Sequence, residues 1–317
     1  MPFQLKETDQ KNDDDHQSFT KIEALKSIFD KMKFVAKNVI YTRRFSEKES
    51  KTNNVKNYPS IKPTNARNFN IQKGSFLVKI INDSDKLINK AKKLRHESFF
   101  QKSAGADFDS DEFDKYCDHL VVIDRSVSEE FVVGTYRLLL KPKYLQKIKF
   151  YSQSEFNIKN LFSQQKATLL EAGRSCVHRN YRDGRIIKLL WRGLATYIIN
   201  NQVELTFGCA SFPSSNHKLF TKQLSYLYHY HRPPDNLKTS PHKNLKANFQ
   251  LIDKGLIDSD EEFRKLPPLI KAYLRVGAWV GNGAIIDNEF NTTDVLIVLD
   301  SKKILKKYAQ LSFNSED

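Results

Sequence analysis

The chain has 317 residues, with 52 Lys+Arg against 37 Asp+Glu and a formal net charge of +15. That length is one large domain or two small ones, and 12% aromatic residues exclude a wholly disordered chain. Three cysteines, Cys117, Cys176 and Cys209, form no CxxC pair, which argues against a disulfide scaffold or structural zinc site and fits a reducing compartment. No stretch approaches the ~18 consecutive apolar residues of a spanning helix. The acidic start MPFQLKETDQKNDDDHQ lacks the basic-then-apolar order of a secretory signal. The expectation is a cytoplasmic protein, soluble or peripheral on the inner membrane face. The basic excess implies an anionic partner: nucleic acid, anionic lipid or an acidic carrier protein. A Lys- and Asn-rich composition of the kind that AT-rich coding produces accounts equally well for much of it.

Residues 1–20 are polar and read as disordered. In KIEALKSIFDKMKFVAKNVI, Ile22, Leu25, Ile28, Phe29, Met32, Val35, Ala36 and Val39 recur at helical spacing, with Lys21, Lys26, Lys33 and Lys37 off the stripe. Such a basic amphipathic helix near 21–40 suits either an anionic membrane surface or packing on a domain. Residues 41–72 lack apolar periodicity and read as a linker, so 1–72 is expected as an extension and 73–317 as the folded domain. GSFLVKIIN reads as a strand and KLINKAKKLRHESFFQ as a helix. HLVVID and EEFVVGTYRLLL read as a hairpin around RSVS. ATLLEAGRSCVH is a strand, RDGRIIKLLWRGLATYIINN a helix, and VELTFGCASF a strand. EEFRKLPPLIKAYLRVGA is partly helical, with Pro267-Pro268 starting a new helix; AIID and DVLIVLD are strands and SKKILKKYA a short basic helix. Hairpins plus one strand–helix–strand crossover indicate an α/β domain with a mixed sheet.

The informative segment is EAGRSCVHRNYRDGRIIKLLWRGL, from Glu171. It passes from a strand through a turn bearing Arg179, Arg182, Gly184 and Arg185 into a helix. Backbone N–H groups at a helix N-terminus with flanking arginines make an anion site suited to phosphate. Strand, turn and helix in this order resemble the GCN5-related N-acetyltransferase superfamily. The superfamily's Arg-x-x-Gly-x-Gly/Ala turn is degraded: counted from Arg182, its glycine positions hold Arg185 and Ile187. A narrower resemblance runs in order over about residues 74–300. LRHESFF, DEFDKYCDHLVVID, VGTYRLL, the Glu171 segment, FGCASF, PPLIKAYLRVGAWV and FNTTDVLIVLD are together similar to the L-ornithine Nα-acyltransferases.

That resemblance implies a mixed, mostly antiparallel sheet, flanked by helices, whose central strand is bulged and splayed from its neighbour. It implies transfer of a 3-hydroxyacyl group from acyl carrier protein to the α-amine of L-ornithine, giving lyso-ornithine lipid. It implies no tightly bound cofactor, the acyl group riding on the carrier's phosphopantetheine. Val177, Arg179, Arg182, Gly184 and Arg185 are the expected phosphopantetheine contacts. The amine must lose a proton, and Glu171 is the candidate base; on a regular strand Arg174 would face the other way, and a bulge would change that. Tyr181 or Tyr273 is the candidate acid for the leaving thiolate. Asp114 and Asp118 are expected at ornithine's side-chain amine, with Arg95 and Arg174 at its carboxylate. Ion pairing within the fold is the competing reading for Arg95, Arg174 and Glu171, as is a solvated loop for the aspartates. Cys176 with His178 admits an acyl-cysteine route, which the resemblance disfavours. His229-x-His231 lacks a completing metal ligand.

Two alternatives stay open. Acyl-homoserine-lactone synthases share the Arg95…Phe99 block, the acidic cluster and the Glu171/Arg174 pair. A nucleic-acid-binding protein is supported by charge alone, without an aromatic RNA-binding signature, zinc ligands or a basic dimer helix.

Overall fold

A computed structural model describes residues 68–100, 107–142, 144–145, 148–162 and 167–303. All of them fall within one compact unit, 57–308. The amphipathic segment at 21–40 and most of the C-terminal basic segment lie outside the described residues.

Strand periodicity translates directly into pairing. β1 (Asn70–Lys73) and β2 (Phe76–Ile81) form a hairpin, and β3 (Asp118–Asp124) and β4 (Val132–Lys141) form the next. The sheet therefore starts at Asn70, inside the stretch read as linker. Polar NIQK gives no alternation to betray a strand at the sheet's edge. β4 is buried along all ten residues, as a strand covered on both faces must be. It pairs antiparallel with β6 (Leu169–Val177). Helix α1 (Ile88–Phe99) packs on β4 and β6 from one face.

From β6 the chain enters α2 (Arg185–Asn200), which crosses the other face and returns as β7 (Leu205–Phe212), parallel to β6. The apolar stripe of α2 (Ile186, Leu189, Leu190, Leu194, Ile198) is buried in the main core. α3 (Thr221–Tyr230), α4 (Ser259–Lys265) and α5 (Pro268–Arg275) complete that layer. β10 (Ile285–Asp287) and β11 (Thr292–Asp300) close the sheet beside β7, in the order β1-β2-β3-β4-β6-β7-β11-β10. A short β9 (Trp279–Val280) also pairs with β11, and β5 (Phe156–Asn157) with β8 (Ser240–Pro241) forms a separate ribbon.

Two irregularities make the central strand unusual. Its ladder with β4 shifts register between Thr135 and Arg137, so one residue of β4 faces two of β6. Arg174 sits at that bulge with φ 51°, in the left-handed region. On the other edge, β6 and β7 pair only over Leu169–Glu171 with Leu205–Phe207, and then separate. The mixed sheet and splayed central strand expected from the resemblance are both present. No helix among the described residues is long and apolar enough to cross a membrane.

Candidate active site

A cavity of about 680 Å³ occupies the fork between β6 and β7. Ala172, Gly173, Arg174 and Ser175 line one side, and Gly208, Cys209, Ala210 and Ser211 the other. The cavity draws walls from both faces of the sheet: Phe99, Phe113 and Tyr151 from the α1 side, Tyr136, Leu269 and Tyr273 from the α2–α5 side. Backbone hydrogen bonds that a regular parallel pair would make are given up here, which opens the slot. Gly208 stands at the fork itself: a Cβ there would lie 2.1 Å from the Ala172 carbonyl oxygen.

Glu171 is 6% exposed and lines the cavity. Its carboxylate accepts from Tyr151 N (2.8 Å), Ser152 N (2.8 Å) and Ser152 Oγ (2.5 Å). It thus fixes the start of the 3-10 helix Tyr151–Ser154 against the sheet. Burial raises its pKa, and the bonds from Ser152 and Tyr151 only partly oppose this. Two carboxylate oxygens offer about four lone-pair positions, so three donors leave room for one more.

The bulge brings Arg174 to Glu171's side of the strand. Its guanidinium lies 4.7 Å from the Tyr151 ring centroid and 4.6 Å from that of Phe290. Its Nε meets Asp109 Oδ2 at 3.1 Å and its Nη2 meets Asp111 Oδ2 at 3.4 Å. Those contacts belong to a closed alternating ring. Asp109 bridges Arg95 and Arg174, Asp111 bridges Arg174 and Arg137, and Asp114 bridges Arg137 and Arg95. Left-handed backbone at a non-glycine residue costs on the order of 1 kcal/mol; two carboxylates and two rings hold Arg174 in it.

This ring reassigns several residues. Arg95 is wholly buried and spends its guanidinium on Asp109 and on both oxygens of Asp114, at 2.5–3.0 Å. Neither Arg95 nor Asp114 lines the cavity. The two arginines hold Asp114's carboxyl well below the usual range despite its burial. Asp118 accepts from the Tyr197 hydroxyl at 2.6 Å and is also absent from the cavity wall. The three aspartates of the ring, Asp114 among them, are met by three arginines within the fold, and neither Asp114 nor Asp118 reaches the cavity wall. The competing reading for Arg95 is the one the geometry fits.

The basic turn is the second feature. The 3-10 helix Arg179–Tyr181 leads to Gly184, at φ 94°, and then to α2. Arg179, Arg182, Arg185 and Lys188 are all exposed around that helix start. Arg182 donates to the Val177 carbonyl at 3.1 Å, tying the turn to the end of β6. Arg185 is paired with Asp183 at 2.7 Å, and Asp183 also accepts from the Arg185 N–H, so one acid already occupies part of the helix N-terminus. Tyr181 donates to Asp124 at 3.0 Å and is not in the cavity wall. Tyr273 is, with its hydroxyl 3.2 Å from that of Tyr136. Of the two tyrosines considered as acid, geometry favours Tyr273. Burial pushes the Cys176 thiol up to about 12, which removes it as a nucleophile near neutral pH. His229 in the last turn of α3 and His231 at its C-cap meet the Ile252 carbonyl and the Tyr226 hydroxyl respectively.

Sequence reasoning missed Tyr151, Asp287, Glu289 and Asp294, all cavity-lining. Asp294 had a visible signal, an acid at the head of the apolar run VLIVL on β11.

A family model described as an acetyltransferase (GNAT) domain matches residues 94–192. The L-ornithine N(alpha)-acyltransferase of Rhodobacter capsulatus is 34% identical over 247 residues, 74% of this chain and 94% of that one. Its namesake from Brucella abortus is 36% identical over 249 residues, 74% of this chain and 88% of that one. The one from Rhizobium meliloti is 42% identical over 204 residues, 63% of this chain and 69% of that one. Among solved structures, an N-acyl amino acid synthase from uncultured soil microbes aligns at TM-score 0.40 and 9% identity, covering 74% of this chain and 97% of that one.

Proposed function

The chain belongs to the L-ornithine Nα-acyltransferase family, and from that premise we propose that it moves a 3-hydroxyacyl group from acyl carrier protein to the α-amine of L-ornithine. The observation that carries the reading is the cavity in the β6–β7 fork with Glu171 in its wall. A thioester on a slender tether fits a slot between separated strands. The exposed cations around Gly184 offer the tether's phosphate a site at the start of α2. Arg179, Arg182 and Lys188 carry that role more readily than Arg185, which Asp183 already engages.

The α-amine arrives mostly protonated near neutral pH. Glu171, its basicity raised by burial, takes the proton directly or through one water. The free amine attacks the thioester carbonyl; as the tetrahedral intermediate breaks its C–S bond, the second proton of the attacking nitrogen goes to the leaving sulfur, and Glu171 releases the first to solvent. Tyr273, which burial keeps protonated, is the wall hydroxyl suited to relay that second proton, giving its own to the sulfur and taking the nitrogen's. Arg174 and Arg137 line the same wall, and the aspartates take only part of each guanidinium's five N–H donors, so donors remain for the acceptor's carboxylate.

The test is a product assay by mass spectrometry with 3-hydroxyacyl carrier protein and a panel of ornithine, lysine and S-adenosylmethionine. The expected product is Nα-acylornithine, and Glu171→Gln is expected to lower kcat by roughly 10²–10⁴ with the fold retained by circular dichroism. Lactone formation from S-adenosylmethionine would overturn the acceptor, and near-normal turnover of the variant would overturn the base.

A further inference from the structure

One wall of the cavity carries acids that the chemistry above does not use. Asp287 ends β10, Glu289 follows in the turn, and Asp294 lies on β11; all three line the cavity. Asp287 has a structural task, accepting from the N–H groups of Glu289 and Phe290 at 2.9 and 3.0 Å. Asp294 differs. It is 6% exposed, and its Oδ1 is fully buried without a hydrogen-bond partner. The polar neighbours of its carboxylate are the hydroxyls of Ser211 and of Thr292, the latter two residues back on the same face of β11 and itself buried in the cavity wall, and neither brings a charge. Among the described residues no Lys, Arg or His nitrogen lies within 4 Å of any of the three carboxylates. The aspartates of the arginine ring are all paired; Asp294 alone of the buried cavity acids keeps an oxygen without a donor.

A buried carboxylate oxygen without a donor is costly, and native proteins keep such a group where something else completes it. The missing partner is a donor with positive charge that enters through the cavity. The described residues hold no group of three His, Cys, Asp or Glu suited to a metal ion. A primary ammonium, with three N–H donors and one charge, matches one carboxylate oxygen and one hydroxyl oxygen side by side.

We propose that Asp294, with Thr292 beside it and Asp287 and Glu289 adding negative potential, receives the side-chain ammonium of the amino-acid acceptor and so selects a diamino acid. The assignment rests on the acyltransferase reading of the cavity. Arg174 stacks on Phe290 of the same β10–β11 turn and on Tyr151, whose N–H meets Glu171, so it neighbours both the acids and the base. An acceptor with its carboxylate toward Arg174 and its side chain toward Asp294 leaves its α-amine for Glu171 and the thioester. Acylation then falls on the α-nitrogen because the other nitrogen is held.

The test compares L-ornithine with L-norvaline, which has the same carbon skeleton without the terminal amine. In wild type, kcat/KM for ornithine is expected to exceed that for norvaline by at least about 10²-fold. In Asp294→Asn, which keeps the shape and removes the charge, that ratio is expected to fall to within about tenfold, mainly through the ornithine KM. Equal use of the two amines by wild type overturns the subsite, as does a variant that loses both alike with the ratio unchanged. Thermal shift separates this from the parent reading. Ornithine, and not norvaline, is expected to raise the melting temperature of wild type and not of Asp294→Asn. If neither amine is acylated but that ornithine-specific shift is present and lost in the variant, the acyltransferase reading fails and the ammonium site stands. If ornithine gives no shift that the variant loses, the ammonium site falls.

Discussion

Glu155 shows how much one buried proton can weigh. Its carboxylate is buried, and the thiol of Cys209, a cavity-lining residue, donates to it at 2.9 Å. Burial first, and the neighbouring Asp294 and Asp287 after it, push its carboxyl up to about 7 from an ordinary 4.5. Between those values the folded protein holds a proton that the unfolded chain has lost. Stability from this group therefore falls as pH rises through that window, and the penalty is complete above about 7. Glu155→Gln removes it. Urea denaturation at pH 8 is expected to show the variant more stable than wild type, by up to about 3 kcal/mol, with the two nearly alike at pH 4. Equal stability at both pH values would reject the buried-proton account. Glu155 left no trace in the sequence, since a Glu in a polar loop reads as solvated and only the fold reveals what lies over it. Glu171 and Arg174 were legible for the opposite reason: both stand on a strand whose flanking pattern is strong. Their meeting on one side was not legible, because it depends on a left-handed Arg174 that no side-chain pattern announces.

Among elements, those with a long apolar period were read correctly. α2 and the strands β2, β3, β4, β6, β7 and β11 all fall where alternation or a helical stripe placed them. α3 was missed. Its sequence, TKQLSYLYHY, mixes polar and aromatic residues over fewer than three turns, and its buried positions fall in one short run. The 3-10 helix Tyr151–Ser154, which Glu171 anchors, is too short to carry a period. The fork itself left one mark, the run of small residues Gly208-Cys209-Ala210-Ser211, which serves close packing at one point and open space at the next. Gly208 is tight, with backbone oxygen where a side chain would begin, while the next three residues line open space. Gly208→Ala is expected to push β6 and β7 apart at their last paired residues, at a cost of about 1–3 kcal/mol. Thermal melting and the acyl-transfer assay together check this. An alanine variant with wild-type stability and rate would mean that the fork does not depend on that close approach.

For the whole molecule, net charge was the least specific of the sequence signals, because it says nothing about where the charges lie. Arg95, Arg137 and Arg174 are internal and cancelled by three aspartates, so they contribute nothing to an external field. Arg179, Arg182 and Lys188 stand exposed around one helix start and do contribute. The field that an acidic carrier protein would meet is therefore local to the turn after β6, superposed on a general excess of +15. Screening distinguishes docking from chemistry, since the Debye length shrinks from roughly 14 Å to roughly 4 Å between about 0.05 and 0.5 M salt. KM for the carrier-borne donor is expected to rise by about tenfold over that range. KM for the same acyl group on a short, uncharged thioester should barely change, because it passes the mouth without needing the field. A combined Arg179→Ala, Arg182→Ala, Lys188→Ala variant should show a weaker salt dependence with the carrier and none with the short donor. Identical salt responses for the two donors would remove the carrier protein from the proposal and leave the cavity chemistry standing, since Glu171, Arg174 and Asp294 lie within the fork and do not share that surface.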